Sequence, residues 1–156
     1  MSTVSINEIK KELVNLSHAQ LSNVCLLLAK YKKDNKELLA YILFQSDDRA
    51  GYIERVKRET DEKFKNINSS NLYFAKKSIR KILRDLNKHI RYTSSKETEV
   101  ELLMYFCQEL KNSGIPIHKS VALNNLYKSQ IKKIEKTIAL FHEDLQHDYS
   151  KIMETL

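Results

Sequence analysis

A chain of 156 residues is long enough to bury a core, and 42% hydrophobic content is that of a folded globule rather than a disordered tail. Two glycines and one proline are too few for the turns between several β-strands, so composition argues against a sheet-rich fold and for an all-α one. The net charge of +7 is unevenly held, because residues 70–93 alone carry seven basic side chains and one acidic.

In chain order, Ser5 with Glu8 forms a capping box that opens a short first helix, with Ile9 and Leu13 on one face. Ser17 with Gln20 forms a second box, so the first helix stops near Leu16. Leu21, Val24, Cys25 and Leu28 mark the inner face of the second helix, which runs to about Tyr31. Asp34 or Asn35 is expected to cap the third. Its centre, Leu38 to Phe44, is apolar almost all round and reads as the most buried helix of the chain.

Ser46, Asp47 and Asp48 open a fourth helix, where Tyr52 or Ile53, Val56, Thr60, Phe64 and Ile67 recur at three to four. Asn66 to Asn71 ends it and caps the fifth. In the fifth helix, Leu72, Ala75, Ile79, Ile82, Leu83, Leu86 and Ile90 share one face, at 100° per residue. Lys77, Arg80, Lys81, Arg84, Lys88 and Arg91 share the opposite face, with Tyr73 among them.

Ser94 and Glu97 suggest a third capping box for a sixth helix, which presents Val100, Leu103, Cys107 and Leu110. Gly114, Ile115 and Pro116 stop it, with glycine supplying the left-handed residue. From Ser120, apolar residues at spacings of three and four continue to Ile152, which predicts one long C-terminal helix over residues 120–154. An echo between Glu37–Tyr41 (ELLAY) and Glu101–Tyr105 (ELLMY), each following a tyrosine that ends a helix, suits two related hairpins.

Site chemistry is sparse. Phosphate-cradling loops need clustered glycines, and Gly51 and Gly114 stand alone. Cys25 and Cys107 lie in apolar helical stretches and read as buried free thiols. Glu143, Asp144 and His147 share a helical face, but His142 and His147 are five apart, which does not match the zinc-protease spacing. Such a cluster reads as a solvated face unless other helices supply further metal ligands. No apolar run reaches the ~18 residues of a membrane span and the N-terminus shows no signal-peptide pattern, so a cytoplasmic protein is expected.

The segment KELLAYILF and the block SIRKILR…KHIRY…KETEVELLMYFCQ resemble small all-helical bacterial proteins. That resemblance implies a soluble bacterial protein and brings with it no activity, cofactor or site.

The expectation is a single all-α domain over residues 1–156, an irregular helical bundle or a short α-solenoid-like stack of six to seven helices. Its core is expected to hold Leu28, Leu39, Ile42, Leu43, Ile79, Leu83, Leu86, Leu103, Cys107, Ile134 and Ile138. Without catalytic or cofactor motifs, the expected function is a non-enzymatic interaction module that binds another protein or a second copy of itself. The alternative is weak, sequence-indifferent nucleic-acid binding through the basic helix 71–92, on Tyr73, Lys77, Arg80, Lys81, Arg84, Lys88 and Arg91. Against that alternative stand Glu97, Glu99 and Glu101, which are expected to neutralise Arg91, Lys88 and Arg84 across the hairpin.

Overall fold

The computed structural model describes residues 3–156. Among them are eight α-helices, one 3-10 turn and no β-strand, which gives the expected all-helical fold with slightly more helices than expected. These residues separate into two compact units, 3–46 and 47–156, where a single domain was expected.

The first unit holds α1 (Ile6–Val14), α2 (His18–Tyr31) and α3 (Lys33–Phe44). Both predicted capping boxes form: Ser5 with Glu8 on α1 and Ser17 with Gln20 on α2. Hydrogen bonds from the backbone and side chain of Ser5 hold the Glu8 carboxyl below its ordinary pKa. The start of α3 differs from expectation. It begins after Lys32 with no side-chain cap, and Asn35 instead donates its amide to the Leu28 carbonyl at 2.8 Å, closing the end of α2.

Helix α3 packs on α2 but is not the buried helix its sequence suggests. Of its residues only Tyr41 is buried, while Ile42, Leu43 and Phe44 are 53%, 60% and 80% exposed. On α2, Leu26, Leu27, Leu28 and Tyr31 are exposed as well. Leu28, Ile42 and Leu43 therefore leave the expected core, and Leu39 is only half-buried. The reason is geometric. A helix packed on one neighbour can bury one stripe, so a helix that is apolar all round keeps apolar surface in water. Cys25 is exposed for the same reason, against its expected burial.

The second unit begins with α4 (Arg49–Lys65), capped by Asp48, whose carboxylate accepts from the Gly51 amide at 2.9 Å. A Cβ at Gly51 would lie 2.2 Å from that carboxylate, so a larger residue there would require the Asp48 side chain to shift. Helix α5 (Leu72–Thr93) is capped by Asn71, and α6 (Lys96–Asn112) returns beside it. Their junction corrects the third capping box. Ser94 adopts a left-handed conformation, φ +49°, to end α5, and Ser95 is the residue that caps α6.

Gly114, at φ +75°, ends the next turn as its sequence predicts, and Ile115 beyond it is buried. A 3-10 turn over Ile117–Lys119 leads into α7 (Val121–Ile138), with Ser120 as its cap. The expected long C-terminal helix is in fact two, α7 and α8 (Glu143–Met153). Two side chains make the break. The His142 ring accepts from the Asp144 amide at the start of α8, and Gln146 donates to the Ala139 and Phe141 carbonyls at the end of α7. Glu143 and Asp144 then sit in the first turn of α8, where the helix dipole favours negative charge. The chain end is tied back, with the Tyr127 hydroxyl donating to the Leu156 carbonyl at 2.6 Å and Lys111 donating to it at 3.1 Å.

Helix α6 is the centre of this unit, against α4, α5 and α7. Val100, Leu102, Leu103, Phe106, Cys107 and Leu110 are fully buried, meeting Ile79 and Leu86 of α5 and Leu123 and Ile134 of α7 in one core. Ile138 is buried, as expected, and Leu83 is half-buried.

The two cysteines should therefore behave differently. Burial pushes the Cys107 thiol up to about 12, far from the reactive thiolate range, while Cys25 is open to solvent. A thiol reagent under native conditions is expected to modify one sulfur quickly, a reaction lost in Cys25→Ser, and the second only on unfolding. Fast modification of both would show that the α6 core is looser than described.

Candidate polyanion-binding groove

Helix α5 is amphipathic in the strict sense. Ala75, Ile79, Ile82, Leu86 and Ile90 are buried at steps of four, three, four and four, so Lys77, Arg80, Lys81, Arg84 and Arg91 are turned to solvent, while Lys76 and Lys88 are half-buried on the flanks. What happens to that charge depends on the acids of α6. Glu97 pairs with Arg49 of α4 at 2.9 Å, and Glu101 pairs with Lys57 of α4 at 2.7 Å. Burial works against the Lys57 charge, but hydrogen bonds to Glu101 and Glu54 outweigh it and hold the ammonium above its ordinary pKa. Glu99, itself buried, pairs with Lys96 at 3.0 Å and with Lys133 of α7 at 3.5 Å. The expected neutralisation of Arg91, Lys88 and Arg84 by these three acids is thus corrected. Their carboxylates turn to α4 and α7 instead.

Along the side of α5 nearer α7 runs an open groove of about 630 Å³. Arg80, Arg84 and Arg91 line it from α5, Lys96 and Glu99 from α6, and Lys133 from α7, with Leu83 and Ile90 also on its wall. Five cations thus face one carboxylate. Among the described residues, no carboxylate forms an ion pair with Arg80, Arg84 or Arg91. Asn87 stands between the arginines as a neutral donor and acceptor.

The predicted site residues are divided by this geometry. Arg80, Arg84 and Arg91 belong to the groove. Lys77 lies over the ring of the exposed Tyr73, 5.3 Å from its centroid. Lys81 is exposed outside the groove, and Lys88 is half-buried. Lys96, Lys133 and Glu99 enter it unannounced. Nothing in linear sequence joins α7 to α5, or marks Glu99 as the acid of α6 that is buried.

The other candidate chemistry disperses. His142 caps α8 with its imidazole, and Glu143, Asp144 and His147 are exposed. Among the described residues no group of three or more His, Cys, Asp or Glu is placed to hold a metal ion. His89 bonds the Tyr52 hydroxyl through Nδ1 at 2.7 Å and approaches Glu59 through Nε2 at 3.8 Å. The half-buried Tyr105 hydroxyl donates to Asp61, and burial together with that carboxylate raises its pKa well above the usual tyrosine value. No described helix is long and apolar enough to cross a membrane. No family model, curated protein or solved structure matches this chain.

Charge and core on α5 should separate cleanly under mutation. Arg80→Glu with Arg84→Glu changes two exposed side chains without ion-pair partners, and the melting temperature is expected to stay within a few degrees of wild type. Leu86→Ala, at a position 1% exposed, should cost about 2–5 kcal/mol. Denaturant melts of the three proteins check both. Unfolding of the double Glu variant would mean that the arginines are structural.

Proposed function

We propose that this protein is a non-enzymatic helical interaction module whose first unit pairs with the same unit of a second copy. The observation that carries this reading is the apolar surface of α2 and α3. Leu26, Leu27, Leu28 and Tyr31 on one helix and Leu38, Ile42, Leu43 and Phe44 on the other are all exposed. Together they place eight large apolar or aromatic side chains of two packed helices in water, a grouping rather than the scattered single residues of an ordinary surface. A second copy suits this surface because a twofold pairing needs only one self-complementary face.

Sedimentation across dilution tests it. A dimer that dissociates on dilution is expected, and Leu27→Asp with Phe44→Asp should give a monomer of unchanged helix content. A wild type that stays strictly monomeric at high micromolar concentration removes the pairing.

A second reading, sequence-indifferent nucleic-acid binding through α5, is favoured by one specific observation. The acids of α6 are engaged with α4, Lys96 and Lys133, which leaves the groove arginines open. Retention on heparin that weakens steeply with salt supports this reading, and indifference to salt removes it.

A further inference from the structure

We propose that the groove and the row leading to it take a single-stranded nucleic acid, with phosphates on the arginines and an unpaired base on Tyr73. The inference rests on the nucleic-acid reading above and names its ligand class. Tyr73, Arg80, Arg84, Asn87 and Arg91 follow one another at steps of seven, four, three and four. At 100° per residue they stay within about 60° of one line along the helix, and the row spans about 27 Å. That length holds on the order of five nucleotides, near the short end of single-strand sites.

Each member of the row suits a different part of such a strand. Arg80 and Arg84 stand one helical turn apart, and a guanidinium presents a planar fork that grips a phosphate through two parallel hydrogen bonds. Lys133 adds a cation from the α7 wall, so a backbone in the groove meets positive charge on both sides. Asn87, set between the arginines, has both donor and acceptor for a base edge.

Tyr73 decides between a strand and an acidic protein. It is 56% exposed, at the N-terminal end of the row, with its ring edge-on to that of the half-exposed Phe74 at 5.5 Å. The Lys77 and Lys76 ammonium groups lie 5.3 and 5.9 Å from its centroid, on flexible side chains that a stacking base displaces. An acidic peptide has no use for an exposed ring at the end of a cation row, and a paired base has no free face to stack on one. An unpaired base has that face.

Glu99 gives the groove an internal competitor. Its carboxylate already occupies Lys96 and Lys133, at 3.0 and 3.5 Å, so part of the groove's charge is spent inside the protein. The Lys96 and Lys133 side chains are 63% and 48% exposed, so making Glu99 neutral leaves no buried cation stranded.

Fluorescence anisotropy of the full chain with a labelled 20-nucleotide oligo(U), over a salt series, is the test. Duplex DNA, heparin and poly-glutamate serve as competitors. Binding should weaken with a log–log salt slope of about −2, as expected for three or so phosphate contacts on a single strand. Arg84→Gln with Arg91→Gln should weaken every polyanion. Tyr73→Ala should weaken the single strand about fivefold or more and leave heparin unchanged. Glu99→Gln should tighten binding and steepen the slope. Circular dichroism confirms the fold of each variant, and Tyr73→Ala, at an exposed position, keeps the test decisive if another variant fails to fold.

Salt-dependent heparin binding with no preference for the single strand over duplex, and no effect of Tyr73→Ala, overturns this inference but leaves the nucleic-acid reading standing. Poly-glutamate competing as well as oligo(U) assigns the groove to an acidic protein and also overturns it. No salt-dependent binding of any polyanion ends both.

Discussion

The second unit depends on the burial of α6. A helix walled by α4, α5 and α7 has little solvent face along its middle, so its charged groups and its tyrosine depend on partners from neighbouring helices, while the hydroxyl of the fully buried Thr98 has none among the described residues. Glu97 and Glu101 find Arg49 and Lys57, Glu99 finds Lys133 and its own helix's Lys96, and Tyr105 finds Asp61. None of these partners lies on α5. The positive surface of the protein is thus a by-product of how its central helix was satisfied. Had the acids of α6 turned the other way, α5 would carry an ion-pair layer and no groove of cations would remain.

The first unit shows the opposite condition. Its α2 and α3 have more apolar surface than one helix–helix contact can cover, and no third element of the unit removes it from water. The roughly 25 cal/mol per Å² that burial of such surface contributes is left unused in α2 and α3 as they stand. Natural sequences seldom keep side chains like Phe44 and Leu43 in water over two adjacent helices without a use for them, because isolated exposed hydrophobes are ordinary and grouped ones are not.

How much of this was legible in the sequence follows from the range of each interaction. Local signals were read correctly where three or four residues suffice: Ser5 with Glu8, Ser17 with Gln20, the cap clusters that end at Asp48 and at Asn71, the helix start near Ser120, and the left-handed Gly114. The one-residue slip from Ser94 to Ser95 arose because two adjacent serines compete for one cap, and the left-handed turn at Ser94 decides between them. The division between α7 and α8 was written in the sequence, in two acids placed where a helix should begin and a glutamine three residues on. It was overridden by an apolar spacing that runs unbroken through Phe141. Burial of α3 was misjudged for a different reason. Periodicity reports that a helix wants apolar surroundings and says nothing of whether its own chain provides them. The basic face of α5 was legible as a stripe. The groove was not, because Lys133 lies 42 residues from Arg91 and meets it only through the packing of α7 on α6.

The two surfaces gain meaning from each other. A single row of about three phosphate contacts gives weak binding at physiological salt, because each contact with a strand amounts largely to counterions released and salt at that concentration reduces the gain. The proposed pairing through the first units would put two such rows on one particle. The second row would then meet a bound strand at an effective concentration set by the connection between them, which raises overall affinity by about 10²–10⁴ where both rows can engage at once. In that arrangement the apolar surface of α2 and α3 and the arginines of α5 are parts of one device. Under the proposed pairing, hydrophobic contacts, which salt does not screen, would set the valency of the salt-sensitive rows. A protein with only one of the two surfaces would either assemble without a ligand or hold one too weakly to matter.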